Sequence, residues 1–159
     1  MAIMFYKVND QYGCFSNFSK HSFELENKEW ATSEIYFQAK KFEGTVYEEK
    51  IRSMTNSLEA AKFGRNRELP LREDWETVKD EIMRKAVLAK FSQNADIKEI
   101  LLQTGEKEII EATTEDYYWG CGTNGTGKNM LGKILMEVRE LLREDGFEEE
   151  ISISTIDPL

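Results

Sequence analysis

The apolar positions Val78, Ile82, Met83, Ala86 and Ala89 recur at helical spacing and predict a long helix over about 74–92. Another helix is predicted from ATSEIYFQAKKFEG, with Thr32 or Ser33 as N-cap and Gly44 as its stop signal. Shorter helices are expected at about 46–54 and 57–64, the latter capped by Asn56 or Ser57 and closed by Gly64. Asp96–Gln103 adds a further short helix, and the amphipathic run MLGKILMEVRELLRE a last one. Strands are expected at Ile3–Val8, Ser22–Leu25 and Glu108–Ala112, the first two flanking the turn-rich NDQYGCFSNFS. ISISTI, near the C-terminus, could add an edge strand. Helices dominate and the strands do not alternate with them regularly. The fold class is therefore α+β, a mostly helical single domain with a small, mainly antiparallel sheet.

At 159 residues the chain is long enough to bury about 70% of the surface its unfolded form exposes. No apolar run approaches the roughly 20 residues that span a bilayer, so no membrane partner is expected. The start, MAIMFYKVND, has neither the basic region nor the cleavage site of a secretory signal. Cys14 and Cys121 lie far apart without metal-ligand spacing, as in a cytoplasmic protein with two free thiols. The net charge of -9 disfavours a broad nucleic-acid face, yet it is unevenly placed. Residues 137–159 carry eight acids against Arg139 and Arg143, whereas residues 62–90 carry eight bases against six acids. An acidic end and a mildly basic middle leave room for a local anion site, although most of these charges need only solvate helices.

GTNGTGKN, Gly122–Asn129, departs from the P-loop pattern G-x-x-x-x-G-K-[ST] at its last position, where Asn129 replaces the hydroxyl that ligates Mg²⁺. The preceding TTEDYYWGCG is acidic and aromatic rather than a buried aliphatic strand, and only 30 residues follow, which argues against an ATPase. A glycine-rich turn entering a helix can still offer backbone N–H groups to a phosphate, with Lys128 and Asn129 as further donors. The plainer reading is a surface turn that uses glycine for positive φ.

Glu34, Gln38 and Lys41 are spaced i, i+4, i+7 and share one helix face, with Ile35, Ala39 and Phe42 in a neighbouring core stripe and Phe37 on the other flank. Such a stripe is most simply an exposed polar face. Flanking aromatics suit a pocket wall instead, where a carboxylate and an amine could act as acid/base and as nucleophile or charge clamp. A second cluster, EDYYWG, sets Glu115 and Asp116 beside Tyr117, Tyr118 and Trp119. Aromatic faces stack on bases and a carboxylate can stabilise an oxocarbenium-like sugar or orient water, unless the cluster is only a core Trp beside a solvated turn. Trp30 and Trp75 read as core residues. His21 is the only histidine, so neither a His-based triad nor a zinc site is expected.

Longer motifs connect these features. FSNF (Phe15–Phe18), W-x-TSE-x-YFQA-x-KF (Trp30–Phe42), GR (Gly64, Arg65), DWE-x-VK (Asp74–Lys79) and MRKA-x-x-AKF (Met83–Phe91) occur in that order. LL-x-T (Leu101–Thr104), D-x-YWG-x-G (Asp116–Gly122) and GKN-x-LGK-x-LM-x-VR (Gly127–Arg139) complete the series. Together they resemble the YbiA-like, or NADAR, family of N-glycosidases, from about Phe5 to Leu142. The resemblance implies a domain over 1–145 and leaves 146–159 as an acidic extension with no catalytic task. It implies cleavage of N-glycosidic bonds of ribose-phosphate compounds without metal or cofactor. The substrates implied are phosphoribosylamino-pyrimidine intermediates of riboflavin synthesis, releasing ribose 5-phosphate. The alternatives are ADP-ribosylated guanine in DNA, or an ADP-ribose-binding module without catalysis.

By the same resemblance Glu34 and Asp116 are expected to be catalytic, with Lys41 and Trp119 beside them. Phe15, Asn17, Phe18, Gln38, Arg65, Gly127, Lys128 and Asn129 are expected as pocket walls and phosphate contacts. One departure stands out: the family commonly has SEHYFQA, whereas this chain has Ile35 after Glu34. Ile35 lies about 100° around the helix from Glu34. The carboxylate is untouched, but a histidine acid at this position is excluded. Either carboxylate could stabilise the sugar cation while the other positions water, and a Schiff base on Lys41 is a separate route.

Overall fold

The computed structural model describes residues 1–155, with side chains through Asp145. The elements are β1 (Ile3–Phe5), a 3₁₀ turn (Gly13–Phe15), β2 (Phe23–Leu25), β3 (Lys28–Trp30), α1 (Ser33–Lys40), α2 (Val46–Arg52), α3 (Ser57–Gly64), α4 (Trp75–Gln93), α5 (Ala95–Gln103), β4 (Ile109–Glu111) and α6 (Met130–Thr155). Side-chain caps set the starts of α1, α2 and α3. Thr32 accepts from the Ile35 N–H at 3.1 Å, and Asn56 from Leu58 and Glu59 at 2.9 and 3.1 Å, which resolves both pairs of cap candidates. Gly44 follows α1 at φ 82°, a conformation that glycine adopts without Cβ strain.

The strands form two separate pairs. β2 and β3 are antiparallel, with Phe23 opposite Trp30, whereas β1 and β4 are parallel, with Ile3 opposite Ile109. A parallel pair needs a long crossover, and here α1 to α5 all lie within it. β3 is not predicted by the sequence pattern. It forms because Glu26 and Asn27 both take positive φ, 58° and 64°, giving the two-residue turn that matches strand twist. β1 ends at Phe5, short of the expected Val8, since Lys7–Asp10 turns back through Asp10 N–H to Lys7 O at 3.1 Å.

The edge strand expected at ISISTI is not formed: α6 continues through Thr155, and only Ile156 of that segment lies outside the described residues. Extending an existing helix adds one hydrogen bond per residue, and the intervening Gly146 costs only about 1 kcal/mol.

α1 lies at the centre, packed on α2, α3, α4 and β3. All eight of its residues are buried, charged ones included. Trp30 and Tyr36 meet edge-to-face at 4.9 Å, and Trp30 Nε1–H donates to Leu25 O at 3.1 Å. Trp75, 6% exposed, joins Trp30 in the core as the sequence predicts.

Lys90 on α4 is 1% exposed and donates to Ser16 O at 2.9 Å, pinning the FSNF loop. Burial lowers its pKa to about 7, with the Cys14 side chain opposing. An unfolded lysine keeps its proton to about pH 10.4, so between about pH 7 and 10 the unfolded state binds the extra proton. Raising pH through this window stabilises the fold, and the full penalty is present below it. Denaturant titrations of Lys90→Met should therefore lack a component that rises with pH in the wild type by up to about 1.4 kcal/mol per unit. Parallel profiles for the two proteins would show that Lys90 is charged when folded.

Candidate active site

The FSNF loop fixes the start of α1. Asn17 O accepts the Glu34 N–H at 3.0 Å, while Asn17 Oδ1 accepts Ser33 Oγ–H at 2.9 Å and its amide reaches Met83 Sδ at 3.5 Å. Asn17 is thus a strut for the helix carrying Glu34. Phe15 differs from expectation: it is 1% exposed and packs among Phe5, Tyr12 and Phe91, because the 3₁₀ turn directs it into the core. Phe18 is only half-buried and remains available as a wall.

The expected polar stripe is present, but its Glu34 and Gln38 are buried rather than exposed. Glu34 is 8% exposed and accepts Gln38 Nε2–H at 2.8 Å. Gln38 presses on Gly64, where a Cβ would come within 2.0 Å of Gln38 Oε1. Gly64 ends α3, as expected, and its missing side chain also admits this close approach. Burial pushes the Glu34 carboxyl above the ordinary range; the Gln38 bond, Lys41 and Arg65 oppose this, and Asp116 adds to it. Lys41 Nζ donates to Gly64 O at 3.3 Å and stands 5.8 Å from the ring centroids of both Phe37 and Trp75. Burial lowers its pKa, Glu34 opposing and Arg65 reinforcing. Arg65 is exposed and enters no ion pair among the described residues.

An aromatic ladder borders this polar centre. Trp75, Phe37, Trp119 and Tyr118 follow one another at centroid separations of 4.9, 5.2 and 4.9 Å, with Trp119 half-buried. Asp116 Oδ1 accepts the N–H groups of Tyr118 and Trp119 at 2.9 and 2.8 Å, which orients both carboxylate and ring. Lys128 is exposed, 5.3 Å from the Tyr118 centroid.

The glycine-rich loop does not form the backbone anion cradle expected of it. The N–H groups of Gly127, Lys128, Asn129, Met130 and Leu131 donate to the carbonyls of Cys121, Tyr117, Gly120, Tyr118 and Trp119. The start of α6 is therefore capped by the chain itself. Gly127 admits the Gly120 carbonyl, only 2.4 Å from where a Cβ would stand. Asn129 is 9% exposed, accepts the Glu111 N–H at 3.0 Å and donates to Ile109 O at 2.9 Å, tying α6 to β4. Of the expected phosphate contacts in this loop, only the Lys128 side chain faces outward.

Glu111, at the end of β4, had no role in the sequence reading. Burial raises its pKa to about 7, and Asp116 and Glu34 reinforce the shift. An acid closing a short apolar strand, in EIIEA, was the available signal. A separate hollow of about 540 Å³, lined by Ser22, Glu24, Asn27, Gln93 and their neighbours, shares no residue with this cluster. The candidate site is centred on Glu34, on the helix where the Gln38 hydrogen bond and Lys41 adjoin the aromatic ladder at Phe37.

Residues 4–143 match the NADAR domain. The chain is 50% identical over 140 residues to N-glycosidase YbiA of Shigella boydii, covering 88% of each chain. It is 37% identical over 142 residues to a riboflavin biosynthesis protein of Vibrio vulnificus, which is 89% of this chain and 39% of that one. The NMR structure of Escherichia coli YbiA matches with a TM-score of 0.86 at 47% identity, covering 92% of this chain and 88% of that chain.

If Asn129 is a brace, Asn129→Ala should cost stability of about 1–3 kcal/mol for the buried groups it strands, with KM little changed in the folded fraction. Lys128→Ala should do the reverse, raising KM without changing the melting temperature. Loss of substrate binding by Asn129→Ala at full thermal stability would return that side chain to the substrate.

Proposed function

The chain belongs to the NADAR family and is an N-glycosidase, and we propose that it hydrolyses phosphoribosylamino-pyrimidine intermediates of riboflavin synthesis to release ribose 5-phosphate. The observation that supports this reading is Glu34 itself: a carboxyl 8% exposed that accepts Gln38 Nε2–H at 2.8 Å, with its pKa raised by burial and by Asp116 and opposed by the Gln38 bond, Lys41 and Arg65. Breaking the C1′–N bond leaves its electron pair on nitrogen and positive charge on the sugar. A carboxylate in a dry site stabilises that charge far better than one in water. Arg65, Lys41 and Lys128 are suited to a phosphate, and Trp119 and Phe18 to the faces of the base. Asp116, held by two backbone N–H groups, is suited to accept a proton from the attacking water.

The Vibrio vulnificus relative supports the choice of substrate through the process in its name. The two free thiols fit a cytoplasmic setting. No described helix is long and apolar enough to cross a membrane. Nothing in the site favours an ADP-ribosylated polynucleotide over the small molecule. The depressed Lys41 amine keeps a second route open, attack on C1′ of a ring-opened sugar to give a Schiff base.

Incubation with the phosphoribosylamino-pyrimidine should release ribose 5-phosphate. Glu34→Gln and Asp116→Asn should each slow this by about 10²-fold or more, and undiminished turnover removes that residue from the mechanism. Borohydride added during turnover should leave no adduct on Lys41; a trapped adduct establishes the lysine route instead.

A stability measurement gives an independent reading of Glu34. Its folded pKa is raised, so its contribution to stability falls as pH rises from the ordinary carboxylate range toward the folded value. Glu34→Gln should therefore melt higher than the wild type at neutral pH while losing activity. A lower melting temperature would show that the ionised carboxylate is a net stabiliser.

A further inference from the structure

We propose that Glu111 is the proton donor of this site, passing the proton on its carboxyl to the base nitrogen as the C1′–N bond breaks. Three observations place it there. First, Glu111 Oε2 is buried without a hydrogen-bond partner among the described residues, a costly arrangement that persists where a ligand group can complete it. Second, its backbone is held at both ends: its N–H by Asn129 Oδ1 at 3.0 Å, its carbonyl by the Cys121 N–H at 3.0 Å. The side chain therefore projects from a fixed point.

Third, Glu111 lies at the base-stacking end of the cluster. A Cβ on Gly120 would stand 3.0 Å from the Glu111 backbone carbonyl and 3.2 Å from that of Asp116, so the backbones carrying both acids pack on the glycine that follows Trp119. The charged groups that act on Glu111 are Asp116, from the loop after β4, and Glu34, from α1; both are acids. Lys41 and Arg65 act on Glu34 instead. Cations thus act on Glu34, whereas only carboxyls act on Glu111. Of the three acids, Glu111 lacks both a cation and a donor. It keeps the proton up to about pH 7, within the range in which an acid can both hold and deliver it.

The step balances without any other reactant. The C1′–N electron pair goes to nitrogen, which takes the Glu111 proton. Water adds its oxygen to C1′ and gives its proton to Asp116. Solvent exchange then returns Asp116 to carboxylate and Glu111 to acid. This inference rests on N-glycoside cleavage at the proposed site, but not on the identity of the base.

The test uses two synthetic N-glycosides of ribose 5-phosphate, one with a basic leaving amine and one with a nitro-substituted, acidic one. In the wild type, kcat/KM for the basic amine should fall as pH rises through about 7, because the donor loses its proton. The acidic amine departs unaided, so its profile should lack that limb. Glu111→Gln should slow the basic substrate by about 10²-fold or more, with KM within about twofold, and the acidic one by less than about tenfold. A limb common to both substrates in the wild type, which needs no variant to fold, overturns the proposal. Equal losses on both in Glu111→Gln overturn it as well. Cleavage of the synthetic pair without cleavage of the pyrimidine intermediate sinks the substrate reading alone and leaves Glu111 to be judged on these profiles.

Discussion

Burial of an entire helix that carries charged side chains is the constraint on which the rest of this fold depends. α1 has no solvent-facing side, so each of its polar groups must find a partner inside the protein or remain costly. Lys40 finds several: Glu26 and Glu43 at 3.4 Å, Glu48 at 3.7 Å, and the rings of Trp30 and Tyr36 at 5.5 and 5.4 Å. That network explains why α2 and the β2–β3 turn close on the helix where they do. Glu34 receives only a neutral amide and more distant charges. Of these two buried charged residues, six positions apart on α1, Lys40 is paired with carboxylates and Glu34 is not paired with a cation among the described residues.

The elements around α1 supply support and chemistry in separate layers. The FSNF loop and α4 brace the N-terminus of α1 through Asn17, Ser16 and Lys90. β1 and β4 form a small parallel pair that ends at Glu111, the acid on which Asp116 and Glu34 act. The GTNGTGKN loop adds little to phosphate binding through its backbone, since its N–H groups close on the chain's own carbonyls. It holds the Asp116–Trp119 turn and β4 in place, and Asn129, at the position that breaks the P-loop pattern, makes two of those connections. Gly127 and Asn129 therefore serve packing, while the Lys128 side chain is exposed.

Much of the fold was legible because its signals are local. The apolar periodicity of α4, the caps at Thr32 and Asn56 and the turn at Gly44 act over a few residues and persist in the folded protein. β3 was not legible, since its turn depends on Glu26 at positive φ, which that residue type rarely adopts. The strand expected at ISISTI yields to continuation of α6 through Thr155, where local β-propensity meets an already formed helix. Parallel pairing across the length of the chain has no sequence signature at the strands themselves.

The chemistry divides in the same way. The sequence by itself determined the Glu34–Gln38–Lys41 face, because helical spacing depends only on position along the chain. Its long motifs also determined the family, and with it the class of bond cleaved. Only the tertiary structure decided which polar groups lose water: it buried Glu34 and Lys90, and placed Phe15 in the core. It also brought Glu111 into the range of Asp116 and Glu34, although five and 77 residues separate it from them. Desolvation depends on burial and Coulomb interaction on distance through space, and neither is set by separation along the chain.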